Sequence, residues 1–215
     1  RAMVAAHDES GAEISVELTN TDPVIYVFKT LSEAHVGEMS FFRTYSGTVK
    51  PGSDLYNSER KVNERLGQIF TLNGKDRESV DHINAGDIGA VVKLRDTHTG
   101  NTLCSPKSFI ELPKVAYPKP NIHAALKVKA KGDEEKIAVG LSTLHEEDPT
   151  FHHVVDSELH QTVISGQGEL HLQIIVERLK RRFNVEVELS EPRVPYRETV
   201  QGKAEAKFRH KKQSG

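Results

Sequence analysis

The segment Ser165-Gly166-Gln167-Gly168-Glu169-Leu170-His171-Leu172 decides how the second half of the chain folds. It joins a short β-branched run at residues 162–164 to an amphipathic helical pattern over residues 169–182. Glycine permits close approach of the backbone at a strand-to-helix junction, and the first turn of a helix presents unpaired N–H groups. We therefore expect a tight turn here, with the helix packed closely on its sheet.

Around this turn the chain repeats one pattern twice, a strand followed by a helix and a second strand. Apolar residues recur at every second position in the strands and at helical spacing in the helices. Asp133 is placed to cap the first helix, and Asp148-Pro149 ends it. The predicted elements are strand 122–128, helix 134–147, strand 151–155, strand 162–164, helix 169–182 and strand 185–189. Two such units predict a ferredoxin-like split β-α-β sandwich with both helices on one face of a four-stranded sheet.

The stretch from residue 22 to residue 114 carries strand signals only. Asn73-Gly74 is a strong hairpin-turn dipeptide, and other Gly, Pro and Asn residues separate the remaining runs. The strand-like runs are residues 24–28, 39–50, 61–72, 88–94 and 109–112. Many short strands without a helical pattern predict a small closed β-barrel. Residues 1–21 are polar without a sustained period, which predicts a linker.

Three prolines, Pro113, Pro118 and Pro120, mark a stiff boundary between the two patterns. We therefore place the barrel at residues 22–114 and the sandwich at residues 115–198. The fold class predicted for the whole chain is multidomain, β followed by α+β.

The last segment, residues 199–215, alternates apolar and charged residues up to Phe208, which predicts the first strand of a further domain. It carries five basic residues against the single acid Glu205. Such a segment is a candidate for contact with phosphate groups, and a solvated tail is the alternative.

The composition narrows the classes of protein to which the chain could belong. The 215-residue chain has a net charge of −2 and no apolar run long enough to cross a bilayer. Its single cysteine, Cys104, excludes an internal disulfide and a thiolate-rich metal site, and it favours a cytoplasmic location.

Neither GTP-binding nor metal-binding patterns are present in the sequence. A P-loop ends in Gly-Lys-Ser/Thr, whereas Gly74-Lys75 precedes Asp76 and Gly202-Lys203 precedes Ala204. Five histidines fall within residues 145–171, but adjacent His152 and His153 should point to opposite faces of a strand, so we predict no metal site. We expect this segment to be catalytically inert.

Six motifs, in order along the chain, resemble bacterial elongation factor G, the translocation GTPase of the ribosome. They are residues 41–48 (FFRTYSGT), 85–91 (AGDIGAV), 99–103 (TGNTL), 146–151 (EEDPTF), 164–172 (ISGQGELHL) and 194–199 (VPYRET). The resemblance covers the family's second and third domains and the start of its fourth. Two departures, Gln167 where the family usually has methionine and His152-His153 where it usually has Arg-Val, suggest a divergent paralogue.

The resemblance implies a barrel of the translation-factor type and a coupling role for the turn at residues 165–172. Residues Gly166, Gln167, Gly168, Glu169 and His171 are expected to lie at an interdomain surface facing a GTPase domain. GTP and Mg²⁺ would be bound by that domain, and no cofactor or metal is expected in this segment. The expected partners are the ribosome (rRNA and ribosomal proteins) and, through the fourth domain, tRNA and mRNA. We expect a monomer without membrane attachment.

Basic residues on polar faces are the candidates for contact with rRNA phosphates. The set is Arg43, Lys50, Lys207, Arg209, Lys211 and Lys212.

Three alternatives remain open from the sequence. Within the family, the protein could act in ribosome recycling or in ribosomal protection of the tetracycline-resistance type. Outside it, the chain could be a free-standing RNA- or protein-binding module. A histidine-dependent metalloenzyme would require bound zinc.

Overall fold

The computed structural model describes residues 3–33, 37–129 and 132–210. The chain begins with an antiparallel hairpin of β1 (Met3–His7) and β2 (Glu13–Glu17). Ala6 and Val16, which are fully buried, pack with barrel residues in one apolar cluster, and the His7 and Glu111 backbones exchange hydrogen bonds of 2.8 and 2.9 Å. The predicted linker at residues 1–21 is therefore wrong over its described part. One buried residue from each strand was too weak a periodic signal to reveal the hairpin.

The barrel that follows is built from ten strands. They are β3 (Val24–Glu33), β4 (Gly37–Ser46), β5 (Thr48–Val49), β6 (Asp54–Asn57), β7 (Val62–Arg65), β8 (Ile69–Asn73), β9 (Asp76–Val80), β10 (Ile83–Asn84), β11 (Ile88–Val92) and β12 (Thr102–Cys104). Eight of them form an antiparallel sheet in the order β7-β6-β12-β3-β4-β11-β8-β9, and β5 pairs with β10. Within the described part of residues 24–112 there is no helix.

The sheet curls around a single core. Leu55 on β6 and Ile69 on β8 stand far apart in the strand order, yet both belong to the same buried cluster as Phe42 on β4. Strands from opposite ends of a sheet share a core only when the sheet is rolled. The predicted β-barrel is confirmed.

One predicted barrel strand is absent, and the runs predicted at residues 39–50 and 61–72 each form two strands. Residues 109–112 form no strand, and only Glu111 makes an isolated bridge, to His7. The segment instead covers the end of the barrel, where Leu112 is 3% exposed. Its apolar residues are needed for that packing, so its pattern imitated a strand.

Beyond an irregular connection at residues 113–121, six elements form the sandwich. They are β13 (Ile122–Val128), α1 (Glu134–Glu147), β14 (His152–Asp156), β15 (Gln161–Gly166), α2 (Glu169–Phe183) and β16 (Val187–Ser190). The antiparallel sheet has the order β14-β15-β13-β16, and apolar residues of both helices share one core with it. This is the predicted ferredoxin-like topology.

The two helices approach closely at Gly140. A Cβ added there would lie 2.7 Å from Leu179 Cδ2, so α1 can pack on α2 at this distance only without a side chain. Helix α1 begins at Glu134 as predicted, but Asp133 does not cap it with its side chain; Asp133 Oδ1 instead accepts a hydrogen bond of 2.8 Å from Lys136 Nζ.

The end of the chain differs from its predicted form. Residues 199–210 contain no strand, and Phe208 is 90% exposed. A strand requires a neighbour to accept its backbone hydrogen bonds, and none of the described residues supplies one here. Residues 211–215, with the predicted contacts Lys211 and Lys212, lie outside the described residues. Neither described helix has the length and hydropathy needed to span a bilayer.

The sandwich core generates the first prediction. Leu144 of α1 is fully buried against the sheet. Leu144→Ala should lower the free energy of unfolding by about 2–5 kcal/mol, because the shorter side chain leaves a cavity. Val139→Ala on the same helix is the matched control, since Val139 is 55% exposed and should change stability by no more than about 0.5 kcal/mol. Urea unfolding followed by circular dichroism would measure both; equal losses would contradict the packing described.

Candidate interdomain coupling site

The turn between β15 and α2 is formed by backbone hydrogen bonds rather than by side-chain capping. Asn121 N donates to Gly166 O at 2.9 Å, and Leu172 N donates to Gly168 O at 3.2 Å. Gly168 is the N-cap residue with extended backbone (φ −177°, ψ 174°), and it has no side chain to accept a helix N–H. With Glu169 in the first turn of α2, the helix start already holds a negative charge.

The two glycines of this turn have different roles. A Cβ on Gly166 would lie 2.9 Å from both His171 Nδ1 and Leu172 Cδ2. A Cβ on Gly168 would meet nothing within 4 Å. Close packing of the turn therefore depends on Gly166, while Gly168 faces open space.

His171 connects the turn to the end of α1. Its Nδ1 accepts the backbone N–H of Gln167 at 3.1 Å, and its Nε2 lies 3.0 Å from Asp148 Oδ2. A backbone N–H can only donate, so Nδ1 must present its lone pair and Nε2 must carry the proton. Burial raises the pKa of Asp148, but hydrogen bonds from Thr150 and His171 outweigh burial and bring that pKa below its ordinary value.

Gln167 ties the turn to the connection between the two domains. Its side-chain Nε2 donates to the carbonyl oxygens of Pro118 at 3.3 Å and Lys119 at 3.2 Å. A methionine side chain, which has no N–H donor, could make neither bond. The departure from the family pattern at this position thus has a structural consequence.

The outer side of the turn is exposed and partly apolar. Leu170 is 69% exposed and Ile174, one turn further along α2, is 40% exposed. The structure therefore brings the five predicted coupling residues into one turn, and the side chains beside them face outward.

A second set of contacts, which the sequence analysis did not assign, joins the sandwich to the barrel. Glu147 at the end of α1 is only 6% exposed in its side chain. Its carboxylate accepts two hydrogen bonds from Arg182, at 2.7 and 2.8 Å, and one of 2.9 Å from the backbone N–H of Ser32 on β3. Arg182 also donates to Ser32 O at 3.0 Å. We call Glu147, Arg182 and Ser32 the latch.

The neighbouring Glu146 makes a parallel contact with the loop before β12. Its Oε1 accepts the backbone N–H of Thr99 at 3.0 Å, and its Oε2 lies 3.0 Å from His98 Nδ1. The hydrogen bond to Glu146 raises the pKa of His98 despite the opposing effect of burial. Burial raises the pKa of Glu146, but the bonds from His98 and Thr99 leave it below its ordinary value.

These interface roles were missed for a physical reason. Residues Glu146 and Glu147 stand in a recognised motif, yet adjacent acids at a helix end predict a solvated surface unless the partner strand is known. Arg182 lies in the last turn of α2, where its charge also complements the helix dipole, so its position alone does not indicate a contact with the barrel. The one available signal was the place of these acids at a helix C-terminus, where carboxylates are unfavourable without a partner.

The predicted rRNA contacts fall in different elements. Arg43 is exposed on β4, with its guanidinium 5.7 Å from the centre of the Tyr45 ring, and Lys50 is exposed just after β5. Lys207 and Arg209 are exposed in the irregular terminal segment.

Three histidines lie close together without forming a metal site. The ring of His145 lies 5.4 Å from that of His152 and 6.0 Å from that of His153, centre to centre. His145 Nδ1 bonds to Phe151 O, and burial, with His145 and His152 nearby, lowers the pKa of His153. Among the described residues no group of three His, Cys, Asp or Glu side chains is placed to hold a metal ion.

Comparison with known proteins adds two domain matches. Residues 22–106 match the family model for elongation factor G domain 2, and residues 117–191 match that for elongation factor G domain III. The chain is also similar to a crystal structure of a protein from Thermus thermophilus, with a TM-score of 0.71 and 33% sequence identity. That likeness covers 83% of this chain and 27% of the Thermus protein. Both matched models are the domains that the motifs predicted.

The contrast between the two glycines gives the second prediction. Gly166→Ala should lower the unfolding free energy of the sandwich by about 1–3 kcal/mol, because the new methyl group displaces His171 or Leu172. Gly168→Ala is the control, because a Cβ at this position meets no neighbouring atom. Alanine restricts the unfolded chain more than glycine does, so this variant should be more stable than the wild type by up to about 1 kcal/mol. Thermal and urea unfolding would compare the two, and similar losses would refute the assignment.

The His98–Glu146 pair gives the third prediction. The pKa of His98 is raised in the folded state, so this contribution to docking is complete below the ordinary value of 6.5 and is lost as pH rises through the folded pKa. The pKa of Glu146 is lowered, so its contribution holds above its ordinary 4.5 and is lost as pH falls through the folded pKa. Docking of the two domains should be strongest between these values.

NMR titration of His98 would test the pair. Glu146→Gln should bring the His98 pKa down toward 6.5, while Glu135→Gln on the exposed side of α1 should leave it unchanged. A His98 pKa that does not respond to Glu146→Gln would contradict the hydrogen bond.

Proposed function

Because the chain belongs to the elongation factor G family through its second and third domains, we propose that it is the non-catalytic, ribosome-binding and coupling segment of a translational GTPase. The longer protein would promote GTP-dependent movement of tRNA and mRNA on the ribosome. The chain corresponds to 27% of the Thermus protein that it resembles, so this activity is proposed for the whole protein.

The observation that carries the proposal is the polar joint between barrel and sandwich. The latch fixes α1 and α2 to β3, and Glu146 fixes α1 to the loop at His98 and Thr99. Gln167 adds a third contact, to the carbonyls of Pro118 and Lys119 in the connection between the two domains. A displacement of the exposed turn at Gly168 would therefore be passed to the barrel through hydrogen bonds as well as through the chain.

The chain's own glycine–lysine pairs do not suit a nucleotide. Gly74-Lys75 forms the two-residue loop between β8 and β9, and Gly202-Lys203 lies in the irregular terminal segment. A P-loop needs a strand, a glycine-rich loop and a helix in succession. Binding of GTP and Mg²⁺ is therefore assigned to a different domain of the longer protein.

Ribosomal contact is assigned to the exposed basic residues. Arg43 and Lys50 on the barrel, and Lys207 and Arg209 in the terminal segment, would bind rRNA phosphates. Phosphate contacts of this kind position a protein without reading sequence. The cytoplasm is the location that fits these partners.

Ribosome recycling or ribosomal protection by a divergent paralogue is the second candidate, and the departure at Gln167 is the observation that favours it. The side-chain bonds from Gln167 to Pro118 and Lys119 stiffen the connection between the domains in a way that methionine would not. Parallel assays of translocation and subunit splitting on the longer protein distinguish the two roles.

The coupling role generates the fourth prediction. In the longer protein, Gly168→Trp should lower ribosome-stimulated GTP turnover about tenfold or more, because a bulky side chain on the open turn blocks docking of another domain. A tenfold change corresponds to about 1.4 kcal/mol, less than a blocked interface would cost. Lys75→Trp on the β8–β9 loop is the control and should leave turnover within twofold.

Two results would count against the proposal. Unchanged turnover in Gly168→Trp would remove the turn from the coupling surface. Failure of the unaltered chain to bind ribosomes in a sedimentation assay would remove the ribosomal role itself.

A further inference from the structure

A polar groove of about 370 Å³ crosses the joint between the barrel and the sandwich. Lys29 of β3 lines it from the barrel, and Arg178 and Arg181 of α2 line it from the sandwich. The groove also touches the latch, since Glu147 and Arg182 form part of its wall. Both domains are therefore needed to form it.

The acidic groups of this groove are already satisfied. Glu33 is paired with Arg77 and Glu147 with Arg182. Asp148 accepts hydrogen bonds from Thr150 and lies 3.0 Å from His171 Nε2. These partners neutralise or occupy the carboxylates that could otherwise balance the cations.

The three cations, in contrast, have no such partner. Within residues 3–33, 37–129 and 132–210, neither Lys29 nor Arg178 nor Arg181 takes part in an ion pair or a side-chain hydrogen bond. Arg178 is half-buried, whereas Lys29 and Arg181 are exposed. The groove thus holds positive charge that the chain does not compensate.

We propose that this groove binds the phosphate backbone of RNA. Guanidinium groups bind phosphate oxygens through two parallel hydrogen bonds, and Arg178 and Arg181 stand three residues apart on one helix face. Leu31 is the apolar residue of the lining, and no aromatic ring is present for a base to stack on. The groove therefore holds phosphates without selecting sequence, and this assignment rests on the ribosomal role proposed above.

An acidic peptide fits the groove less well. Most peptide-binding surfaces offer a free strand edge or apolar pockets for alternate side chains. Along the groove, one edge of β3 is paired with β4. On its other edge, the backbone N–H and carbonyl of Ser32 are already bonded to Glu147 and Arg182. Charge is the main feature the groove presents, and RNA carries one charge on every nucleotide.

Because Lys29 belongs to the barrel and the two arginines to the sandwich, binding depends on domain docking. A ligand that binds only the docked arrangement stabilises that arrangement by mass action. RNA in the groove would therefore hold the latch closed, and Asp148 would carry the effect to His171 and the turn.

The test is the affinity of the purified chain for a fluorescent 20-nucleotide RNA hairpin of arbitrary sequence, measured by anisotropy between 50 and 200 mM KCl. The variant R178A/R181A should bind about tenfold more weakly at 50 mM KCl. The slope of log affinity against log salt concentration should become shallower by about 1.4 to 1.8, because two phosphate contacts are lost. The control K75A/K107A removes the same charge from exposed barrel turns and should stay within twofold.

Each outcome decides the question. Equal affinity and slope for R178A/R181A and its control would overturn the proposal. So would tighter binding of a poly-glutamate peptide than of RNA at equal ionic strength, since the partner would then be an acidic protein. If R178A/R181A loses thermal stability, R178K/R181K, which keeps the charge without the guanidinium fork, should give intermediate RNA affinity; wild-type affinity would exclude a bidentate contact.

Sedimentation with ribosomal subunits separates this inference from the proposed function. If the wild-type chain and R178A/R181A bind ribosomal subunits equally well, the ribosomal role stands and the RNA-binding role of the groove is excluded. If the wild-type chain binds the RNA hairpin through the groove but binds no ribosomal subunit, RNA binding by the groove stands and the ribosomal role is excluded.

Discussion

Glu146, Glu147 and Asp148 lie where α1 ends, and the C-terminal end of a helix carries partial negative charge. Three consecutive carboxylates there are unfavourable unless each finds a donor. Each finds one in a different part of the molecule: Glu146 in the barrel loop at Thr99, Glu147 in the latch, and Asp148 in Thr150 and His171. The compensation of these charges is what places the barrel, α2 and the glycine turn around a single helix end.

This arrangement explains why the turn and the joint act on one another. Asp148 is bonded to His171, whose Nδ1 in turn holds the backbone of Gln167. Gln167 reaches the linker, and the adjacent Glu147 reaches β3. The path from exposed turn to barrel is therefore short and consists of hydrogen bonds whose donors and acceptors can be named. A shift of His171 could not leave Asp148 in place, and α1 would move with it.

The sequence could predict the sandwich closely because its helices are amphipathic and its strands alternate. The first helix was predicted at residues 134–147 and found at Glu134–Glu147; the second was predicted at 169–182 and found at Glu169–Phe183. The turn was found for the same reason, since glycine marks close packing. Elements held by distant partners could not be predicted. The N-terminal hairpin depends on burying Ala6 and Val16 against the barrel, and the latch depends on a strand more than a hundred residues away from Glu147. The strand expected after residue 199 is the opposite case, a pattern without the predicted structure. Its residues alternate as in a strand, but no described strand lies beside them to accept their backbone hydrogen bonds.

The chemistry of the joint also bears on how firmly it holds. The Glu147–Arg182 pair contributes little net stability, because desolvation of the buried Glu147 carboxylate offsets much of its attraction to Arg182, which stays partly exposed. Interfaces between domains of one chain are commonly polar, and relative motion is their usual behaviour. Opening an apolar joint would expose apolar area to water, which is unfavourable, whereas opening the latch returns the buried Glu147 carboxylate to water, which is favourable. The pair therefore fixes the geometry of the docked state more strongly than it fixes its population. A segment that must keep a defined arrangement under load and still release it would need a joint of this kind.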